Sequence, residues 1–232
     1  MKLLALDTSS DACSVALQLG DNISEQHVVR AKEHTDILIP MIQGLLHDAG
    51  VELQELDAIV LGNGPGSFIG MRIAASVAQG LAHGSGLKIV PISSMAAVAA
   101  EVMELYSAAE VIVAQDARVN EAYLGIYRND GEGIPTAVTD EMLQPIEKID
   151  GLAAASASEL FAAGQAWEKY PALRELNRAA ISKIVDVHYP KARYLLGLGM
   201  RAWQAGEAIE PENLAPAYIR TKVAEKPREA GR

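Results

Sequence analysis

A single cysteine, Cys13, stands in the 232 residues of this chain. One thiol excludes an internal disulfide and leaves a cysteine-based zinc site without ligands. Cys13 falls in the apolar run 12–19, where a buried strand residue is expected rather than a nucleophile. Long apolar runs are also missing. Half the residues are hydrophobic, yet no stretch approaches the roughly 18 apolar residues that span a bilayer, so no membrane anchor is expected. The first apolar run, Leu3 to Leu6, ends at Asp7, too early for a secretory signal, and a cytoplasmic location follows as the expectation. Positive charge is scarce: 20 Lys and Arg against 30 Asp and Glu give a formal net charge of −10. Such a surface repels phosphate backbones. The only basic concentration is the stretch from Arg220 to Arg232, interleaved with Glu. Within it, residues 221–232 have no apolar periodicity and read as a disordered tail. The histidines His27, His34, His47, His83 and His188 include no pair three or four apart, and the residue four after His34 is Leu38. No helix turn therefore offers two imidazoles to one metal ion, and no metal is expected.

Three short strands are predicted at the start, Lys2 to Leu6, Cys13 to Leu19 and Asn22 to Arg30, separated by polar turns. Glu33 to Ala49 then carries apolar residues at Ile37, Leu38, Met41, Ile42, Leu45 and Leu46. That one-sided stripe predicts a helix stopping at Gly50 and kinked at Pro40. A buried strand at Ala58 to Leu61, a glycine-rich loop, an alanine-rich helix from Phe68 to His83 ending at Gly84, a strand at Lys88 to Pro91 and a helix from Ser94 to Leu105 complete the order βββαβαβα. The pattern restarts with strands at Val111 to Gln115 and Ala122 to Tyr127, and a third at Ala137 to Leu143. A helix near Ser158 to Ala163, a strand near Ala180 to Val185, a helix from Lys191 to Ala205 and an extended segment from Leu214 follow. Duplication of one unit is the economical reading: an α/β chain with a first lobe at 1–105, a second, degenerate lobe at 106–190, and the helix 191–206 packing back on the first. By fold-level analogy, two βββαβαβα units are the architecture of the actin, hexokinase and Hsp70-like (ribonuclease H-like) superfamily.

The run Gly62-Asn-Gly-Pro-Gly-Ser-Phe-Ile-Gly70 is the most distinctive. It lacks the Lys-Ser or Lys-Thr of a Walker loop, the offsets of a dinucleotide fingerprint and the spacing of a nucleophile elbow. A phosphate cradle and a tight strand-to-helix turn with Ser67 as N-cap both fit it. Asp7, Thr8 and Ser9, at the tip of the first hairpin, occupy the place of the first phosphate loop in nucleotide-binding members of the superfamily. They are the candidate nucleotide-binding residues. They also read as a polar turn in which Asp7 and Ser10 bond the backbone. Asp116, Arg118 and Glu121 could form a catalytic cluster, but two carboxylates around one Arg more simply describe a salt-bridged turn.

Gly70, Ala74, Ala78 and Ala82 recur at spacing four and make a flat seam on the second helix. One apolar face of each helix must cover the chain's own sheet. Apolar residues also occupy the flanks, as at Ile37 beside Leu38 and at Met71 near Ile73, and suggest a partner subunit joined through an intermolecular helical bundle.

The start LLALDTSSDACSVAL, the segment EHTDILIPMI, the loop GNGPGSFIGMRIA, the segment AQDARVNEAYLGIY and the late LAPAYIR together resemble the TsaB (YeaZ) family, in order and over nearly the whole chain. The resemblance implies a two-lobed actin-like fold and a non-catalytic scaffold of the bacterial complex that makes threonylcarbamoyladenosine in tRNA. In that complex the paralogue TsaD holds a metal through H-x-x-x-H and transfers the threonylcarbamoyl group, and TsaE supplies ATPase activity. Members of the family use the two early helices for homodimers and for the heterodimer with TsaD. That role is carried here onto Ile37, Leu38, Met41, Leu45, Met71, Ala74 and Ala78. Ile69 and Met71 stand where Thr and Leu are frequent in the family. The run Ala162 to Trp167 lacks the glycine pair that binds adenosine in ATP-using relatives, so ATP or ADP is expected only at a complex interface, and tRNA only through the complex. A glycoprotease-like peptidase and a small-molecule kinase of the same fold are the alternative readings.

Overall fold

The computed structural model describes residues 1–152 and 159–219. The first sheet begins as the expected meander: β1 (Lys2–Asp7), β2 (Ala12–Leu19) and β3 (Asn22–Val29). There follow α1 (His34–Ala49), β4 (Ala58–Gly62), α2 (Phe68–Ser85), β5 (Lys88–Ile92) and α3 (Ser94–Tyr106). The strands lie in the order β3-β2-β1-β4-β5, with β1, β4 and β5 parallel and the meander antiparallel. β1 and β4 are apolar without alternation because both of their faces are covered by helices.

The second half repeats this plan. β6 (Glu110–Asp116), β7 (Glu121–Asn129) and β8 (Pro135–Ala137) form its meander, with β9 (Met142–Pro145) also pairing β7. β10 (Leu160–Ala163), α4 (Gln165–Lys169), α5 (Pro171–Leu176), β11 (Lys183–Ile184) and α6 (Ala192–Gln204) complete it. The order β8-β7-β6-β10-β11, with β6, β10 and β11 parallel, is the order of the first sheet over again.

Three expectations need correction. The helix expected near 158–163 is the strand β10, buried between β6 and β11. Its Leu-Phe-Ala-Ala run has helical propensity, and a central place in the sheet overrides it; Ser158 lies outside the described residues. The single strand expected over 137–143 is two, β8 and β9, separated by a turn at Thr139 to Glu141. α2 runs through Gly84 and stops at Gly86, the residue that adopts the left-handed conformation (φ 70°). Pro40 sits inside α1 on its exposed face, and the helix continues through it, since water can take the carbonyl that the missing N–H leaves open. The tail at 221–232 lies outside the described residues.

α1 and α2 cover one face of the first sheet, meeting Leu4, Leu6, Val15, Leu17, Ile59 and Leu61. The other face is covered by α6, whose Ala192, Leu195, Leu196 and Ala202 meet Leu3, Ala5 and Val60. Conversely α3, from the first half, lays Met95, Val98 and Val102 on Val111 and Val113 of the second sheet. α3 is therefore buried along almost its whole length, as its apolar circumference requires. The helices that follow β5 and β11 thus lie between the two sheets and join the halves. Cys13 lies inside, and burial pushes its thiol up to about 12, which removes it from nucleophilic chemistry.

Candidate functional site

The loop after β1 and the glycine-rich loop after β4 are packed directly on each other. Asp7 is 1% exposed. It accepts from the Ser9 N–H and hydroxyl, each at 2.8 Å, and from the Ser94 hydroxyl at 2.5 Å. Burial raises its carboxyl above the ordinary range, and the hydrogen bonds from Ser94 and Ser9 only partly oppose that. Thr8 is fully buried and donates to the Gly70 carbonyl at 2.7 Å. The Ser67 N–H donates to the Ser9 carbonyl at 2.6 Å, and the Ser67 hydroxyl caps α2 by accepting from the Gly70 N–H at 3.2 Å. Two glycines make this possible. A Cβ on Gly62 would stand 1.9 Å from an Asp7 oxygen, and one on Gly70 would stand 1.9 Å from the Thr8 carbonyl oxygen.

Asp7, Thr8 and Ser9, the candidate nucleotide-binding residues, lie at this joint between the two loops. The polar groups of Asp7 and Thr8 are consumed by the protein itself, and of the three only Ser9, 4% exposed, reaches the wall of a cleft. That cleft, about 330 Å³, lies between the two halves and is walled by Ser10, Asp11, Ser67, Arg118 and Gln165 with Ser9.

On its second-lobe side Asp116 accepts from Lys169 at 2.5 Å, from the Tyr170 hydroxyl at 2.7 Å and from the Arg118 N–H at 3.0 Å. Burial works to raise the Asp116 carboxyl, but these donors outweigh it and hold the carboxyl below its ordinary range. The Arg118 guanidinium reaches back across the cleft toward Asp11 at 3.9 Å while resting 3.5 Å from Asp116. Glu121 opens β7, where its backbone closes the turn through Ala117 and Arg118. The structure thus builds a salt-bridged turn here. Among the described residues no three His, Cys, Asp or Glu side chains gather as a metal site needs.

The α1–α2 face differs from expectation in detail. Leu38, Met41, Leu45, Met71, Ala74 and Ala78 are all buried within the chain. Their stripe covers the chain's own sheet, and Ile37 is half-buried against the same core. What faces outward is the next row of residues. Ile39 is 47% exposed and Ile69 70%, and between the helices runs an apolar groove of about 440 Å³ walled by these two with Ile73 and Val77 over Leu38.

A second cavity, about 780 Å³, opens beside α3 and α6. At its wall the Glu141 carboxylate accepts from both Ser93 and Tyr127 hydroxyls, joining the start of α3 to the second sheet. Burial raises both the Glu141 carboxyl and the Tyr127 hydroxyl. These residues are far apart in sequence and share no motif, so nothing local announces them.

Two sheets with one strand order, β9 and a 3-10 turn standing in the second where α1 stands in the first, and a cleft between them define an actin-like fold, here one whose loop after β1 is packed against its own glycine-rich loop. The family profile described as TsaD, tRNA N6-adenosine threonylcarbamoyltransferase, matches residues 22–227. The tRNA threonylcarbamoyladenosine biosynthesis protein TsaB of Haemophilus influenzae is 34% identical over 97% of this chain and 96% of its own length. TsaB of Escherichia coli is 31% identical over 97% of each. The solved structure of YeaZ from Pseudomonas aeruginosa aligns with a TM-score of 0.85 at 35% identity, covering 94% of this chain and 99% of that one. The chain belongs to the TsaB (YeaZ) family. Among the described residues no helix is long and apolar enough to cross a membrane.

Proposed function

We propose that this chain serves the synthesis of threonylcarbamoyladenosine in tRNA as a non-catalytic scaffold that dimerises with TsaD and is required for threonylcarbamoyl transfer to the adenosine next to the anticodon. The observation that carries the scaffold reading is the filled loop. Asp7 and Thr8, which would meet a nucleotide, are buried and hydrogen-bonded to Ser94, Ser9 and Gly70 instead. Side chains already paired within the protein are not free to serve as preorganised catalytic donors or acceptors. The apolar groove between α1 and α2 is the face the partner covers, because exposed isoleucines in a row favour association. When alone, the chain pairs with a second copy through the same face. TsaE joins through the complex as its ATPase, tRNA is reached only through the complex, and ATP or ADP binds, if at all, at a subunit junction.

Reconstitution tests this. TsaD, TsaE, a supply of threonylcarbamoyl-adenylate and tRNA are combined with and without this chain, and the modified nucleoside is measured. Modification that depends on the chain, with none from the chain alone, supports the scaffold. Equal modification without it overturns the proposal, as does transfer by the chain in the absence of TsaD.

A further inference from the structure

Glu141, in the turn before β9, stands half-buried on the wall of the cavity of about 780 Å³ beside α3 and α6. Its Oε1 accepts from both the Ser93 and Tyr127 hydroxyls. Ser93 Oγ already accepts the N–H groups of Met95 and Ala96, each at 3.1 Å, so its own proton is free to point at Glu141. Two donors on one oxygen favour the ionised carboxylate. Oε2 is left over. It takes no hydrogen bond among the described residues, and it is not one of the polar atoms shut away from solvent without a partner, so it opens on the cavity. No cation of the chain answers its charge: among the described residues Glu141 forms no ion pair, and Arg201, the cation on the same wall, is held by Asp130. Burial raises the Glu141 carboxyl above its ordinary range, as expected of a charge with hydroxyl partners alone.

We propose that this cavity binds a small primary aliphatic amine, whose ammonium pairs with Glu141 Oε2 while its alkyl chain lies against Ala96, Ile134 and Leu198. Other cations fit less well. A metal ion needs several ligands, and among the described residues no three His, Cys, Asp or Glu side chains gather. A guanidinium matches both oxygens of a carboxylate, and Oε1 is already taken by two hydroxyls. An ammonium is a point charge that one oxygen can hold. The rest of the wall, with Pro135 and Ala202 beside the three apolar residues above, suits a methylene chain. The volume falls within the roughly 300–1,000 Å³ of small-molecule sites. The walls come from both halves of the chain, α3 from the first and the segment around β8 from the second, so an occupant touches both. The proposal is independent of the reading that TsaD covers the α1–α2 face.

Butylamine is the probe, and the full chain with labelled methyl groups is the reporter. Titration is expected to move the Ala96, Ile134 and Leu198 methyl resonances saturably, with a Kd on the order of 1 mM, the scale open to so small a ligand. Butanol and butyrate have the same shape without the positive charge and are expected to bind at least about ten-fold more weakly. Equal binding of all three reduces the cavity to an apolar hollow and overturns the proposal, as does the absence of a saturable shift at these methyls. Glu141→Gln keeps a carbonyl oxygen for Ser93 and Tyr127 and turns an amide N–H toward the ammonium. E141Q is expected to lose butylamine affinity about ten-fold or more; retained affinity overturns the assignment. Glu207→Gln, on the same wall, controls for general attraction of cations to the net charge of −10 and is expected to bind like wild type. An equal loss in both variants shows diffuse attraction only and also overturns it. Should E141Q fail to fold, the comparison of the three ligands on the unaltered chain decides alone. A lysine side chain of TsaD is the source of the ammonium instead if the complex with TsaD no longer takes up butylamine and E141Q weakens TsaD affinity, and that result overturns the free amine as ligand.

Discussion

The hydroxyl of Ser14, on β2, accepts the backbone N–H of Ala192, at the start of α6, over 2.8 Å. The two residues are 178 apart in sequence, and the contact ties the last helix of the second half to the first sheet. Lys191, the residue at the N-cap of α6, makes no side-chain cap. The strands supply it: Ser14 takes the Ala192 N–H, and Glu25 on β3 takes the Arg193 N–H at 3.1 Å. A carboxylate there also complements the positive end of the helix dipole.

Ser14→Ala should therefore behave as the loss of an N-cap and lower the unfolding free energy by about 1 kcal/mol, within the roughly 0.5–2 kcal/mol range of such losses. Urea unfolding of the full chain measures this. An effect near zero would mean that Glu25 alone caps the helix.

The glycines of α2 make a matched pair of tests. A Cβ on Gly70 meets the Thr8 carbonyl oxygen at 1.9 Å, a backbone atom that cannot swing away, whereas a Cβ on Gly80 meets nothing within 4 Å. Gly70→Ala should cost about 1–3 kcal/mol as overpacking and loosen the joint between the two loops. Gly80→Ala, exposed in the helix interior, should gain about 0.5–1 kcal/mol from helix propensity. Thermal and urea unfolding of the two variants should move in opposite directions; equal effects would refute the packing of the loops described above.

The element order of the first half, the caps at Ser67 and Gly50 and the buried Cys13 were legible because each rests on local pattern: alternation of polar turns with short apolar runs, and single residues of special conformation. β10 was not, since four small or apolar residues are compatible with helix or strand and only their place between β6 and β11 decides. The site was half legible. The two loops were recognised as the special turns, but whether they face a ligand or each other depends on 1.9 Å clearances that no residue pattern encodes. The Glu141, Ser93 and Tyr127 cluster depends on the docking of the two halves.

Asp7 gives the chain a pH dependence of definite sign. Burial raises its folded pKa above the ordinary 3.8, with Ser94 and Ser9 opposing. A carboxyl with a raised folded pKa binds its proton more tightly in the folded state. Its favourable contribution is therefore complete below 3.8 and is lost as pH rises through the folded value. Asp7→Asn removes the titration while keeping an acceptor for Ser9. The stability of wild type minus that of D7N should fall as pH is raised from about 3.8 and then level off. Urea unfolding across a pH series reads the difference, and a difference that is flat or rises with pH contradicts the burial described for Asp7.

The outward and inward rows of the α1–α2 pair make a further test. Leu38 is 1% exposed and belongs to the core with Leu6 and Ile59, whereas Ile69, at the start of α2, is 70% exposed. Leu38→Glu puts a charge where no partner can neutralise it and removes a packed side chain, so a loss of at least about 3 kcal/mol is expected. Ile69→Glu should leave unfolding unchanged within about 0.5 kcal/mol, because a lone surface substitution disturbs no packing. The two variants should differ just as sharply in solution: I69E folded and poor at self-association or TsaD binding, L38E destabilised first. If instead L38E were stable and merely monomeric, the stripe through Leu38, Met41 and Leu45 would be the docking surface and the inward placement of that row would be wrong.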